Sequence, residues 1–277
     1  MRIVQGDEIA FVEEGNRHRG GRFRSKQLLT GTPGTPANYS LGKVETFGDF
    51  VSPRHKHNFD QYRVQLDGAF EFGRDGNMPK GSVGYFPEGT PYGPQTSSED
   101  SLTLVLQFGG ASGNGYMARE ELRAATAELQ EFGTFKDGVY TRNDPGEGRK
   151  NQDGYEAVWE HRNRRKLVYP APRYQAPILM NPENFAWVDS PSEKGVRTRL
   201  LGRFGERETD IGHLRLEPGA AHTATGARLF YVLSGEGTLG NHAWRPESAM
   251  EIARGERGEF RARTPSELLF IGMPTLQ

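Results

Sequence analysis

The chain has 277 residues, room for one large or two ordinary domains, and a formal charge of -1 with no concentrated basic face. Phosphate backbones need clustered Lys and Arg, so nucleic acid is excluded as the main partner. There is no cysteine, which removes disulfides, thiolate nucleophiles and Cys-ligated zinc. Met1 to Glu8 carries acids and no apolar run of signal-peptide length, and no stretch approaches a membrane span; a cytoplasmic protein with no membrane partner is expected. The 36 glycines and 17 prolines fall between short apolar runs, the texture of an all-β protein with many turns.

In chain order, residues 1 to about 40 read as a leader packing onto a first barrel, with a short edge strand at Ile9–Val12 and a surface histidine at His18. Strands follow at Tyr39–Phe47, through a histidine-bearing segment, at Tyr62–Phe72, and at Ser101–Phe108, where Leu102, Leu104 and Leu106 alternate. Between 112 and 180 the β texture breaks. Met117–Phe132 places Leu122, Ala125, Leu129 and Phe132 at helical spacing, and Asp153-Gly154-Tyr155-Glu156 is a capping box ahead of a second short helix. Tyr169-Pro170-Ala171-Pro172 is extended, because proline disfavours helix in the residue before it. Strands resume at Thr198–Phe204, Asp210–Leu216 and Arg228–Leu233.

The segment Arg54-His55-Lys56-His57-Asn58-Phe59-Asp60-Gln61 carries the chemistry. Two histidines one residue apart share a face if the backbone is extended, and Gln61 can return to that face four residues later. Two imidazoles and an amide oxygen converging on one volume suit a divalent metal. Alternation then puts Arg63 and Gln65 on the face of Gln61. An arginine aimed into a barrel needs a counter-charge, either Asp49 or Asp60 or the carboxylate of a substrate. No nucleophile elbow and no phosphate loop followed by lysine occurs, which leaves metal-centred chemistry or none.

These residues resemble the cupin motifs. His55-x-His57, three residues, Gln61, six residues and Gly68 follow the first motif, with Gly48 one place upstream of the expected leading glycine. Gly81, Pro87 and Gly89 follow the second, and Tyr92 stands where its histidine belongs. A further stretch, Leu229 to Gly237, resembles the end of a first motif. Aligning Gly235 with Gly68 sets Arg228 against Gln61, Ala224 against His57 and His222 against His55, with Gly258 at the place of the last ligand. His222 and His213 then read as structural.

The resemblance implies two jelly-roll barrels joined by a partly helical linker: 1–111 with the first barrel, 112–180 the linker, 181–277 a degenerate second barrel. It implies a divalent metal, iron or manganese ahead of nickel, zinc or copper, held by His55, His57 and Gln61. Tyr92 would be a phenolate ligand, a proton donor or an aromatic barrel residue, and Gln95 could fill the vacant place. Arg63, Gln65 and Gln95 would contact substrate. The expected activity is a metal-dependent dioxygenase acting on a small oxygenated organic molecule. A lyase or isomerase of the same type fits the neutral Gln61, and the rival from another class is a non-catalytic barrel pair that binds a small ligand. The resemblance also suggests a homodimer.

Overall fold

A computed structural model describes residues 1–13, 22–35, 37–136, 138–144, 146 and 148–274; His18 lies outside them. Two compact units divide the chain: Phe11–Lys26 with Thr30–Leu179, and Met1–Ala10 with Gln27–Leu29 and Met180–Gln277. Both are built of antiparallel β-sheet, so the all-β, two-barrel expectation holds. No helix among the described residues is long and apolar enough to cross a membrane.

Five strands of the first barrel lie in the order Val83–Phe86, Asp60–Asp67, Ser101–Phe108, Tyr39–Thr46, Phe23–Thr30. The second barrel repeats that order with Ser248–Ile252, Arg228–Ser234, Ser266–Gly272, Thr209–Leu216, Val196–Phe204. The turns repeat too. Gly68 and Gly235 both have positive φ, 64° and 85°, and a Cβ on either would strike the residues that open the next central strand, Asp100 and Ser101 or Pro265 and Ser266. Only glycine takes that conformation without strain in so tight a place.

The two interiors differ. In the second barrel Leu214, Phe230, Val232, Met250, Phe260 and Leu268 form a single apolar core. Alternation puts these large side chains inward and fills the space between the sheets. In the first barrel the apolar residues Leu41, Tyr62, Val64, Leu104 and Leu106 are buried on the other face of the large sheet. The face that lines the interior carries Ser40, Gly42, Gln61, Arg63, Thr103 and Gln107. Opposite Arg63 lies Val105, and beyond Val105 lies Gly42. Small and polar side chains leave a cavity of about 1000 Å³ within this unit.

Residues expected as a linker belong to the first unit. Helix α1, Arg119–Gln130, and helix α2, Gly154–Asn163, pack with a three-stranded sheet around Ala125, Leu129, Tyr140, Val158 and Trp159. The Glu121 carboxylate accepts the Ala118 N–H at the start of α1, and Asp153 accepts the Glu156 N–H to cap α2. Phe132 falls beyond α1 and is exposed, so the apolar stripe ends at Leu129. The other side of α1 presents Arg119, Arg123, Thr126 and Gln130, at i, i+4, i+7 and i+11, to the cavity.

The leader departs from expectation in the same way. Arg2–Gln5 pairs with Ser248–Ile252 of the second barrel, so the first ten residues do not join the first. A four-residue edge strand is placed by a long-range hydrogen-bonded register that local sequence does not encode.

Candidate functional site

The histidines do not sit on a continuous strand. Regular pairing stops at Ser52 and resumes at Asp60, and two anchors hold the loop between. His55 exchanges backbone hydrogen bonds with Tyr92 (3.1 and 2.9 Å), and the His57 carbonyl accepts the Gly89 N–H at 2.7 Å. The two motifs therefore meet through their backbones. Gly89, with φ 76°, lies where a Cβ would strike the Pro170 carbonyl.

His55 Nδ1 lies 2.6 Å from the Pro53 carbonyl, which can only accept, so that nitrogen carries the proton. Its Nε2 then accepts the Tyr92 hydroxyl at 3.0 Å. Tyr92 is 1% exposed and packs edge-on against Phe86. It stands behind His55 and does not line the cavity. The His57 ring stacks on Phe59, with centroids 4.6 Å apart.

Arg63 is the centre of the cluster. Nε and Nη2 both donate to Gln61 Oε1 at 3.0 Å, Nη1 donates to Gln95 Oε1 at 2.9 Å, and Nη2 donates to the Tyr92 hydroxyl at 2.6 Å. Guanidinium is donor only, which fixes both carboxamides with oxygen toward Arg63. The Gln61 amide nitrogen consequently faces His57 Nδ1 in close contact. Arg63 is 6% exposed, lies 4.4 Å from the centroid of the Phe86 ring, and still lines the cavity.

Neither expected aspartate pairs with it. Asp60 points to the opposite face of its strand, where it accepts the Tyr85 hydroxyl and the Glu88 N–H. Asp49 accepts the Arg22 N–H. Burial pushes the Asp60 carboxyl up to about 6, against the Glu88 N–H, which lowers it, and with the Glu88 carboxylate adding to the rise. Gln65 shares the face of Gln61, but its amide is engaged by Thr103 and the Asp67 carbonyl and it does not line the cavity. Its expected contact with substrate is not supported.

The donors fit a divalent metal only in part. Ring centroids of His55 and His57 are 4.9 Å apart, and two imidazoles bound side by side on one ion would lie about 4.5–5 Å apart at ordinary metal–nitrogen distances. The rest does not fit. His55 Nε2 accepts from Tyr92, His57 Nδ1 faces an amide N–H, and the Gln61 oxygen takes two N–H groups from a cation. Among the described residues no group of three His, Cys, Asp or Glu could hold an ion. A dication here would adjoin a guanidinium with which, among the described residues, no carboxylate pairs.

No family model and no curated protein sequence matches the chain. Solved structures do. A putative dioxygenase from Nostoc punctiforme aligns over 99% of this chain and 82% of its own, at 11% identity and TM-score 0.61. GK1651 from Geobacillus kaustophilus aligns over 100% and 96%, at 13% identity and TM-score 0.58. A point mutant of Bacillus subtilis oxalate decarboxylase aligns over 100% and 78%, at 12% identity and TM-score 0.58. The fold is that of the cupins. Another structure of that decarboxylase is described with Mn(II) centres, a property of that protein. At such identities the likeness concerns the fold, and function has to be argued from the site.

In the second barrel, Ala224 and Gly258, at two of the ligand positions, are backbone partners across a strand pair. His222 Nδ1 contacts Glu193, and His213 Nδ1 contacts Glu267. Arg228 pairs with Asp210 at 3.1 Å. Sequence reasoning missed the inserted wall of the first cavity, with Arg119 and Arg123 on α1 and Tyr155 and Tyr169 beyond it. The signal was present in the polar side of the α1 periodicity.

Proposed function

We propose that the first barrel is a metal-independent site for a small oxygen-bearing molecule, with Arg63 as its cationic centre and the second barrel as structural support. One observation carries this reading. Arg63 lines the cavity of the first barrel, and its hydrogen bonds there go to neutral acceptors. Gln61, Gln95 and Tyr92 hold the guanidinium in place, and His57 stands at the same cavity with its ring fixed by Phe59 and Gln61. Such a site binds and orients an oxygen-rich ligand without a metal.

A second reading rests on the 4.9 Å imidazole spacing: a metal-dependent enzyme, dioxygenase or lyase or isomerase, with iron or manganese on His55 and His57. The ion, when bound, would supply Lewis acidity toward a substrate oxygen. Gln61 would have to release Arg63 before its oxygen could join.

Metal analysis separates the two. Protein purified without chelator and incubated with iron(II) or manganese(II) should carry far less than one ion per chain. Stoichiometric metal that disappears in His55→Ala establishes the second reading, and dioxygen uptake then divides dioxygenase from lyase.

A further inference from the structure

We propose that the ligand of the first barrel is a monocarboxylate with a flat apolar body, its carboxylate received by Arg63 and Gln95 and its body by the aromatic wall above His57. The inference rests on the reading of this cavity as a small-molecule site; it does not depend on the presence or absence of metal.

Charge comes first. Buried cations need a counter-charge or a ligand that brings one. In the second barrel even the half-buried Arg228 has Asp210. In the first, Arg63 donates four hydrogen bonds to Gln61, Gln95 and Tyr92, and among the described residues no carboxylate pairs with it. Guanidinium has five N–H groups, so one on Nη1 remains. The Gln95 amide nitrogen, on a residue that lines the cavity, makes no hydrogen bond among the described residues. One N–H from each can grip the two oxygens of a carboxylate, and a single negative charge balances a single guanidinium. The same cavity is lined by Lys56, Arg119 and Arg123 and by Asp153 and Glu156, while Arg54 there is paired with Asp75.

Shape and lining supply the body. A cavity of about 1000 Å³ lies at the upper end of ordinary ligand pockets, much larger than a two-carbon acid requires. Its wall beyond His57 is aromatic. Phe59 lies edge-on to Tyr116 and Tyr155, at 5.2 and 6.3 Å, and Lys56 sits over the Tyr169 ring at 4.4 Å. Burial pushes the Tyr155 and Tyr169 hydroxyls upward, so both rings are neutral at ordinary pH and serve as apolar faces. Flat rings stack or pack edge-on against such faces.

Binding is tested by calorimetry on the full chain with benzoate, 3-phenylpropanoate and 2-naphthoate, each beside its primary amide, and with acetate and oxalate. At least one aryl acid should bind about tenfold or more tightly than its amide and than either small acid, the discrimination expected of a charge-assisted hydrogen bond. Arg63→Met should remove the difference between acid and amide. If that variant fails to fold, the acid and amide pairs on the unaltered protein decide alone. No aryl acid outbinding its amide overturns the proposal, and so does acetate or oxalate binding as tightly as the aryl acids. Metal content measured on the same samples keeps the two readings apart: stoichiometric metal with intact acid preference rejects the metal-independent site and leaves the ligand class standing.

Discussion

Arg63 Nε and Nη2 both reach the side-chain oxygen of Gln61, at 3.0 Å each. That one relationship sets the character of the first barrel. A carboxamide can serve a cation as a ligand or a guanidinium as an acceptor, and here its lone pairs serve the guanidinium. The positive charge of the site is supplied by the chain.

Gln61→Glu should convert those bonds into a buried ion pair. The new carboxylate would satisfy Arg63 from within, so affinity for the best aryl acid should fall about tenfold or more while the fold is kept. Calorimetry on this variant reads the loss directly; undiminished affinity would mean that Arg63 is not the receptor.

Tyr92→Phe should destabilise the chain by about 1–3 kcal/mol, because it leaves an Arg63 N–H and His55 Nε2 without the hydroxyl that joins them. Urea denaturation measures it. Equal stability would show that water replaces the phenol at no cost.

Asp60 makes stability depend on pH in the direction opposite to most carboxylates. Its folded value of about 6 lies above the unfolded value of about 3.9. The protonated form is therefore favoured by folding. This contribution is fully present below about pH 4 and is lost as pH rises through 6, a change on the order of 2–3 kcal/mol. Asp60→Asn keeps an acceptor for the Glu88 N–H and should flatten that slope between pH 4 and 7. Parallel stability curves for the two proteins would contradict the assignment.

Glu267 acts the other way. Burial raises its carboxyl, but the hydrogen bonds and charges of His213 and Arg215 outweigh this and hold it at about 2. Its contribution is present above about pH 4.3, the unfolded value, and is lost as pH falls toward 2. Glu267→Gln should lose less stability than the unaltered chain on acidification through that window, as followed by circular dichroism.

Phe260 is fully buried in the core of the second barrel. Truncation to alanine should cost about 3–5 kcal/mol and leave the acid-over-amide preference of the first barrel unchanged. A changed preference would assign the second barrel more than a structural part.

Much of this was legible in the sequence, and the limits follow from what periodicity can encode. Period two placed Gln61 and Arg63 on one face, and Gly68 with Gly235 disclosed the repeated turn. Phe230 and Leu268, standing at the places of Arg63 and Thr103, would have announced one full and one hollow barrel, had the two faces been compared strand by strand. Spacing could not say which atom of Gln61 faces Arg63, since that depends on side-chain torsions and a partner's donors. Nor could it show Tyr92 standing behind His55, because the bridge between them joins loops 37 residues apart. Residues 112–180 looked like a linker because their own core, around Trp159 and Tyr140, comes from short elements.

The central claim, that a guanidinium and no metal ion receives the ligand, is tested most directly by titrating the best aryl acid into the protein before and after exhaustive treatment with EDTA. The account predicts the same affinity in both. A loss of binding on chelation that manganese(II) or iron(II) restores would contradict it.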